Sequence, residues 1–202
     1  MWVERVREIA RNQRVARGAG GAWGFAEGVF FFIVPDVYVS FATLFALRAG
    51  AVAWAASIAG SLAAVCTIYL LAVVLHLDYL GFLELIPGIS AGMLVAVERG
   101  FGAGGGGLPY TAWLITGGVP LKVYAGVAFA QGIGVGSVLV WTVFARIVRI
   151  APVYLLAAAV RLVFRPSIDA RPARWLGVLA ALWVAFYAFY FVTMSHLRTA
   201  PT

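Results

Sequence analysis

The sequence predicts an all-α integral membrane protein: an inverted repeat of a re-entrant, broken-helix hairpin plus a transmembrane helix, with an extra C-terminal transmembrane helix. Three observations predict this fold. Of the 202 residues, 63% are hydrophobic and only 11% are charged, with a mean hydropathy of +0.97. Two of the apolar blocks are interrupted by a proline near the middle. Most basic residues lie in two clusters or beside apolar blocks, as in the cytoplasmic loops of membrane proteins.

The first element, residues 1–21, is predicted to be a basic amphipathic helix at the membrane surface. Its arginines are Arg5, Arg7, Arg11, Arg14 and Arg17. This charged lead is too long for a secretory signal, and no clean cleavage site follows a short apolar core. Because Lys and Arg collect on the cytoplasmic side, we expect the N-terminus to be cytoplasmic. The expected location is a bacterial-type inner membrane.

Five apolar blocks follow, at residues 22–47, 51–75, 111–131, 133–160 and 175–195. Since roughly 20 apolar residues cross a bilayer as a helix, the unbroken second, fourth and fifth blocks are predicted transmembrane helices. Residues 22–160 form the predicted inverted-repeat membrane domain. A basic cytoplasmic loop at 161–174 separates it from the C-terminal helix and tail, residues 175–202. The basic residues of that loop are Arg161, Arg165, Arg171 and Arg174.

The two broken blocks predict a pair of re-entrant hairpins. The first break contains Pro35, and the second contains Gly117, Gly118 and Pro120. Proline removes a backbone donor and clashes with the preceding turn, and glycine loosens the backbone. "VPDVYVSFATLFA" aligns weakly with "VPLKVYAGVAFAQ", and such paired breaks point to a transport site built from discontinuous helices.

The charges of the loop at 76–110 indicate whether the two broken blocks re-enter the membrane or span it. It has three acidic residues and one arginine. This composition favours an external loop, and an external loop requires blocks 22–47 and 111–131 to leave the membrane on the side they enter. Within the loop, residues 83–97 are predicted to form one short interfacial helix.

Charged side chains inside the apolar blocks predict a buried polar site. They are Glu27, Asp36, Lys122, Arg146 and Arg149. Each costs about 2.5–3.5 kcal/mol at a helix centre, so we expect the acids and bases to lie together. They either form a salt-bridge core that only fixes packing, or a midplane site where the bases hold an anionic group, such as a lipid phosphate, while a carboxylate changes protonation.

These segments resemble the DedA superfamily, also called VTT or SNARE-associated domain proteins, especially its YqaA-like branch. "WGFAEGVFFFIVPDVYV" and "ITGGVPLKVYAGVAFAQG" are similar to its two hairpin signatures, and "ARIVRI" resembles its trailing basic element. The resemblance implies inverted hairpins and flippase- or scramblase-like movement of phospholipid or undecaprenyl phosphate between leaflets. It places the acidic pair, for proton coupling or ion pairing, on Glu27 and Asp36. The phosphate-binding residues fall on Lys122, Arg146 and Arg149.

Other classes of function stay open from the residues alone. Asp36 also suits a proton-coupled ion or solute carrier, and a non-transporting scaffold needs its charges only for packing. The motif "GISAG" at 88–92, together with His196, is compatible with an intramembrane serine protease, although the strand-turn-helix context of a nucleophile elbow is absent. We expect no enzyme activity, cofactor or metal. The expected partners are membrane lipids and no nucleic acid, with a homo-oligomer left open.

Overall fold

The computed structural model describes residues 2–102 and 119–198, and these residues form ten α-helices without a strand among them. The helices are α1 (Trp2–Arg11), α2 (Gln13–Val29), α3 (Asp36–Phe45), α4 (Leu47–Tyr69), α5 (Tyr79–Glu84), α6 (Ala91–Gly102), α7 (Leu121–Ala130), α8 (Val135–Val163), α9 (Arg165–Ala170) and α10 (Pro172–Arg198). A π-helical turn, Leu70–Val74, continues α4.

Three helical segments are long and apolar enough to cross a membrane: Leu47–Val74, Val135–Val163 and Pro172–Val192. The first two have 28 and 29 residues. At 1.5 Å per residue each is therefore about 42 Å long, against about 30 Å for the hydrocarbon core. The described residues are helical, and three candidate membrane-spanning helices occur at the three predicted places with somewhat different ends, which indicates a membrane-embedded protein.

The N-terminal segment differs from the single helix predicted over residues 1–21. Asn12 separates α1 from α2, because its side-chain oxygen accepts hydrogen bonds from the backbone N–H groups of Arg14 (2.9 Å) and Val15 (3.3 Å). Such an N-cap starts a new helix by satisfying its first amides. The predicted boundary between residues 21 and 22 therefore lies inside α2.

α2 and α4 pack at a separation that requires glycine. A Cβ on Gly20 would collide with the backbone of Ala53, and one on Gly24 would collide with that of Ser57. Later residues of α2 thus meet later residues of α4, so the two helices run in the same direction. Since α3 connects them, it returns the chain to the level at which α4 begins.

Only part of the second broken block, 111–131, lies in the described part of the chain; Gly117 and Gly118 are outside it. Pro120 is the N-cap of α7, as Pro35 is of α3, and each of these helices has ten residues. Ten residues span about 15 Å, half of the hydrocarbon core. Each half-length helix precedes a membrane-spanning helix, α4 or α8.

The loop at 76–110 does not contain the predicted helix over residues 83–97, and this prediction is wrong. Two helices, α5 and α6, occur instead, separated by a turn at Pro87 and Gly88. Proline has no amide hydrogen for a helix, and Gly88 has a φ of 90°, which other residues rarely adopt. Cys66 lies inside an apolar block, where a lone cysteine is by default a small core residue, but it is exposed on α4.

One aspartate joins the two basic clusters. Asp169 of α9 accepts hydrogen bonds from Arg7 of α1 (2.9 Å) and from Arg161 of α8 (3.0 and 3.2 Å). Arg11 and Arg165 form longer ion pairs with it, at 3.5 and 3.9 Å. The N-terminal helix and the 161–174 loop therefore lie at the same end of the molecule, as the charge pattern predicts. That this end is cytoplasmic stays a prediction.

Candidate functional site

The break between α2 and α3, residues 30–35, has backbone groups bonded by side chains from other parts of the fold. Trp23 Nε1 donates to the carbonyl oxygen of Ile33 (2.9 Å), and the N–H of Val34 donates to the hydroxyl oxygen of Tyr187 (2.8 Å). Non-helical backbone at membrane depth needs such partners because lipid offers none. These bonds fix the position at which Asp36 begins α3.

Lys122 connects the second broken block to the first. Its Nζ donates to the carbonyl oxygens of Glu27 (2.7 Å) and Phe31 (2.8 Å), and Lys122 is only 1% exposed. The hydroxyl of Tyr79 donates to the nearby carbonyl of Val29 (3.1 Å). A helix leaves its last carbonyls unpaired and carries partial negative charge at its C-terminus. Lys122 therefore stabilises the end of α2 and holds the start of α7 against it.

Glu27 and Arg146 form an ion pair between α2 and α8. Both side chains are only 2% exposed. Either charge alone would incur a desolvation penalty of several kcal/mol, so each is accommodated by the other. The predicted meeting of acids from the first half with bases from the second is confirmed for this pair, whereas Lys122 bonds to backbone carbonyls of the first half.

Asp36 and Arg149 form a second, looser pair. Arg149 Nε lies 4.0 Å from Asp36 Oδ2, whereas charge-assisted hydrogen bonds are about 2.7–2.9 Å long. Asp36 Oδ2 is buried and accepts no hydrogen bond from any residue in the described ranges. The Arg149 side chain is 23% exposed, in contrast to the fully buried Arg146. Arg149 is therefore the more accessible of the two arginines on α8.

A cavity of about 540 Å³ adjoins this second pair, between α3, α8 and α10. Asp36, Ser40 and Arg149 lie at one end, and most of the remaining wall is apolar. Glu27, Lys122 and Arg146 do not line it. The volume falls within the range of about 300–1,000 Å³ that is usual for ligand sites. The five predicted site residues thus divide into a buried set of three and a pair that faces the cavity.

α10 forms one wall of the cavity and is tied to the first broken block. Besides the bond between Val34 and Tyr187, Trp183 Nε1 donates to Ser40 Oγ at 3.0 Å. The outer face of the helix is open, with Val184 and Phe189 69% and 70% exposed. α10 therefore covers one side of the Asp36–Arg149 pair and itself lies at the periphery of the protein.

Sequence analysis did not single out Tyr187, Trp183 or Ser40. By its composition alone, the aromatic run at 183–191 is typical of a packing or lipid-facing surface. The available signal was the spacing, because Trp183 and Tyr187 are four residues apart and share a helix face. Buried Tyr and Trp usually find a hydrogen-bond partner, so this pair pointed to a polar neighbour that the sequence did not identify.

The serine-protease pattern has a structural explanation. The carbonyl of Ser90 accepts a hydrogen bond from the N–H of Met93 (2.9 Å), so the motif lies at the start of α6. A nucleophile elbow requires a strand-to-helix turn. The side chain of His196 lies outside the described residues. Among those that are described, no group of three metal-ligating side chains occurs.

Comparisons of the chain with protein-family models, curated proteins and solved structures found no match.

Proposed function

We propose that this protein is a membrane transporter that moves a phosphate-bearing lipid, a phospholipid or undecaprenyl phosphate, between leaflets. The observation that carries the proposal is the loose Asp36–Arg149 pair at the polar end of an otherwise apolar cavity. An arginine presents several donors to a phosphate, and an apolar wall suits the attached hydrocarbon. Asp36 is the group that changes protonation as the phosphate arrives and leaves.

The buried charges then have two different roles. Lys122 holds the two broken blocks together, and the Glu27–Arg146 pair ties the first broken block to α8. All three side chains are nearly inaccessible. Asp36 and Arg149 handle the headgroup, since they border the cavity. This division narrows the substrate-contacting residues to Arg149 and Asp36.

The proposal includes a re-entrant topology. A Cβ on Gly28 would collide with the side chain of Ala64, which puts the tip after α2 near Ala64, while the helix continues to Val74. These positions support a first hairpin that enters and leaves on the side where α4 begins and stops short of the far end. α7, of the same length as α3, is the returning arm of the second, inverted hairpin.

Two other functions fit the structure less well. A carrier for a small polar solute needs polar walls, whereas this cavity is apolar beyond its inner end. A scaffold explains the Glu27–Arg146 pair, but it gives no reason for a buried Asp36 oxygen without a hydrogen-bond donor from the described residues.

Reconstitution tests the proposal. The full chain is placed in vesicles of phosphatidylethanolamine and phosphatidylglycerol with a trace of fluorescent phosphatidylglycerol, and transfer is followed by chemical quenching of the outer leaflet. We expect transfer above that of protein-free vesicles, and loss of it with Asp36→Asn or Arg149→Ala. The control is Arg165→Ala, at an arginine whose side chain is 73% exposed and does not line the cavity. Solute uptake without lipid transfer would favour a carrier, and neither activity would favour a scaffold.

A further inference from the structure

The apolar part of the cavity has the dimensions of one lipid chain in one leaflet. Along α8 the lining extends from Arg149 to Val160, and along α10 from Trp175 to Phe186. Each stretch is about 16 Å long at 1.5 Å per residue. The hydrocarbon of one leaflet is about 15 Å thick, half of the core. The cavity therefore extends over roughly the depth that one lipid chain occupies.

The two ends of the cavity differ in polarity in the way that an amphiphile requires. Arg149 and Asp36 lie at the inner end, and Val160 and Trp175 lie at the other. Arg161, which follows Val160, belongs to the cluster around Asp169 at the end of the molecule. The apolar lining thus begins at the Arg149 site and ends next to the basic surface.

The cavity also opens sideways between α8 and α10. Leu156 and Leu182 line it and are 69% and 64% exposed. A chain can enter between these residues without crossing polar groups. A free phosphate ion gains nothing from such a lining, whereas a hydrocarbon chain keeps its apolar surroundings.

We propose that this cavity binds one hydrocarbon chain of a lipid whose phosphate lies at Arg149. The inference rests on the proposed function and specifies its substrate as an amphiphile recognised by its chain as well as by its phosphate. Recognition of phosphate comes from Arg149, and retention comes from the walls supplied by α8 and α10.

Filling the cavity tests this inference. Ala157 lines the cavity on α8, whereas Ala159 on the same helix is exposed and does not. Binding of dodecyl phosphate to the purified full chain is measured by native mass spectrometry for Ala157→Trp and for its control, Ala159→Trp. Losing contact with two methylenes lowers affinity roughly tenfold, so we expect at least that loss with Ala157→Trp and none with Ala159→Trp. Inorganic phosphate, which has no chain, should bind both variants equally and much more weakly.

A second pair keeps the test decisive if Ala157→Trp does not fold. Val178 lines the cavity from α10, and Val184 on the same helix faces outward. Equal dodecyl phosphate binding by Val178→Trp and Val184→Trp, or equal binding by the α8 pair, would overturn the chain site. Binding does not require transport, so chain-dependent binding without transfer would refute the proposed function and leave the chain site standing. Transfer that continues unchanged in both cavity-filling variants would refute the chain site and leave the proposed function standing.

Discussion

Arg146 of α8 is ion-paired with Glu27 of α2, and each side chain is only 2% exposed. One turn further along α8, Arg149 lies beside Asp36 at 4.0 Å and is 23% exposed. Each pair joins an acidic residue of the first broken block to an arginine of α8, but the two pairs differ in burial. Under the proposed function, this difference separates the residues that hold the fold from those that contact the lipid phosphate.

The Glu27–Arg146 pair predicts a strong loss of stability when one partner is removed. Arg146→Met leaves a buried carboxylate unpaired, which costs about 3–5 kcal/mol, and Glu27→Gln leaves a buried guanidinium. We expect a large drop in the thermal unfolding temperature of either variant in detergent. The double variant, Glu27→Gln with Arg146→Met, should recover part of the loss. Additive losses in the double variant would show that the two side chains are not coupled.

Tyr187 is predicted to hold the tip of the first hairpin. Tyr187→Phe leaves the N–H of Val34 without its acceptor, at a cost of about 1–3 kcal/mol if the group stays dry. Hydrogen exchange measured by mass spectrometry should accelerate over residues 30–36. Tyr154→Phe is the matched control, because its hydroxyl makes only a 3.4 Å contact with the Leu47 carbonyl. Similar exchange over residues 30–36 in both variants would refute a specific role for Tyr187.

Asp169 predicts a pH dependence of the contact between α1 and α9. Hydrogen bonds from Arg161 lower the pKa of this carboxyl below its ordinary value of 3.8. The stabilising contribution is therefore fully present above about that pH and is lost as the pH falls through the lowered value. Thermal unfolding of wild type and Asp169→Asn, compared from neutral to acidic pH, should give a difference that disappears at the acid end. A difference in unfolding temperature that grows on acidification would contradict a stabilising role for the ionised Asp169 carboxylate.

Re-entrant hairpins predict opposite sides for Gln13 and Leu85. In a background with Cys66→Ala, which removes an exposed native thiol, Gln13→Cys and Leu85→Cys are each labelled in intact cells with an impermeant reagent. Leu85 is 79% exposed, so access to the reagent depends mainly on the side of the membrane. We expect Leu85→Cys to react from outside and Gln13→Cys only after lysis. Labelling of both only after lysis would mean that blocks one and three fully span.

Several features were predictable from the sequence because local chemistry determines them. Long uncharged blocks give membrane helices, Pro35 and Pro120 precede half-length helices, and buried charges of opposite sign must meet. The division among those charges was not predictable. Lys122 binds backbone carbonyls, and whether Arg146 or Arg149 faces a cavity depends on how α8 packs against α3 and α10.

The misplaced helix at 83–97 has a different cause. The segment is apolar on both sides of Pro87, so its pattern resembles one continuous helix, and the turn depends on Gly88 adopting a positive φ. Asn12 likewise divided a segment whose basic pattern is continuous. In both cases one residue with specific backbone chemistry outweighed the periodicity.

The most direct test of the central claim compares three residues at position 149 in the same vesicle assay: arginine, lysine and glutamine. If Arg149 holds a lipid phosphate, transfer should fall with Arg149→Lys, which keeps the charge without the planar donor geometry, and disappear with Arg149→Gln. The folded fraction of each variant is measured in parallel, so that a loss of transfer is distinguished from a loss of folding. Wild-type transfer rates for folded Arg149→Gln would contradict the account.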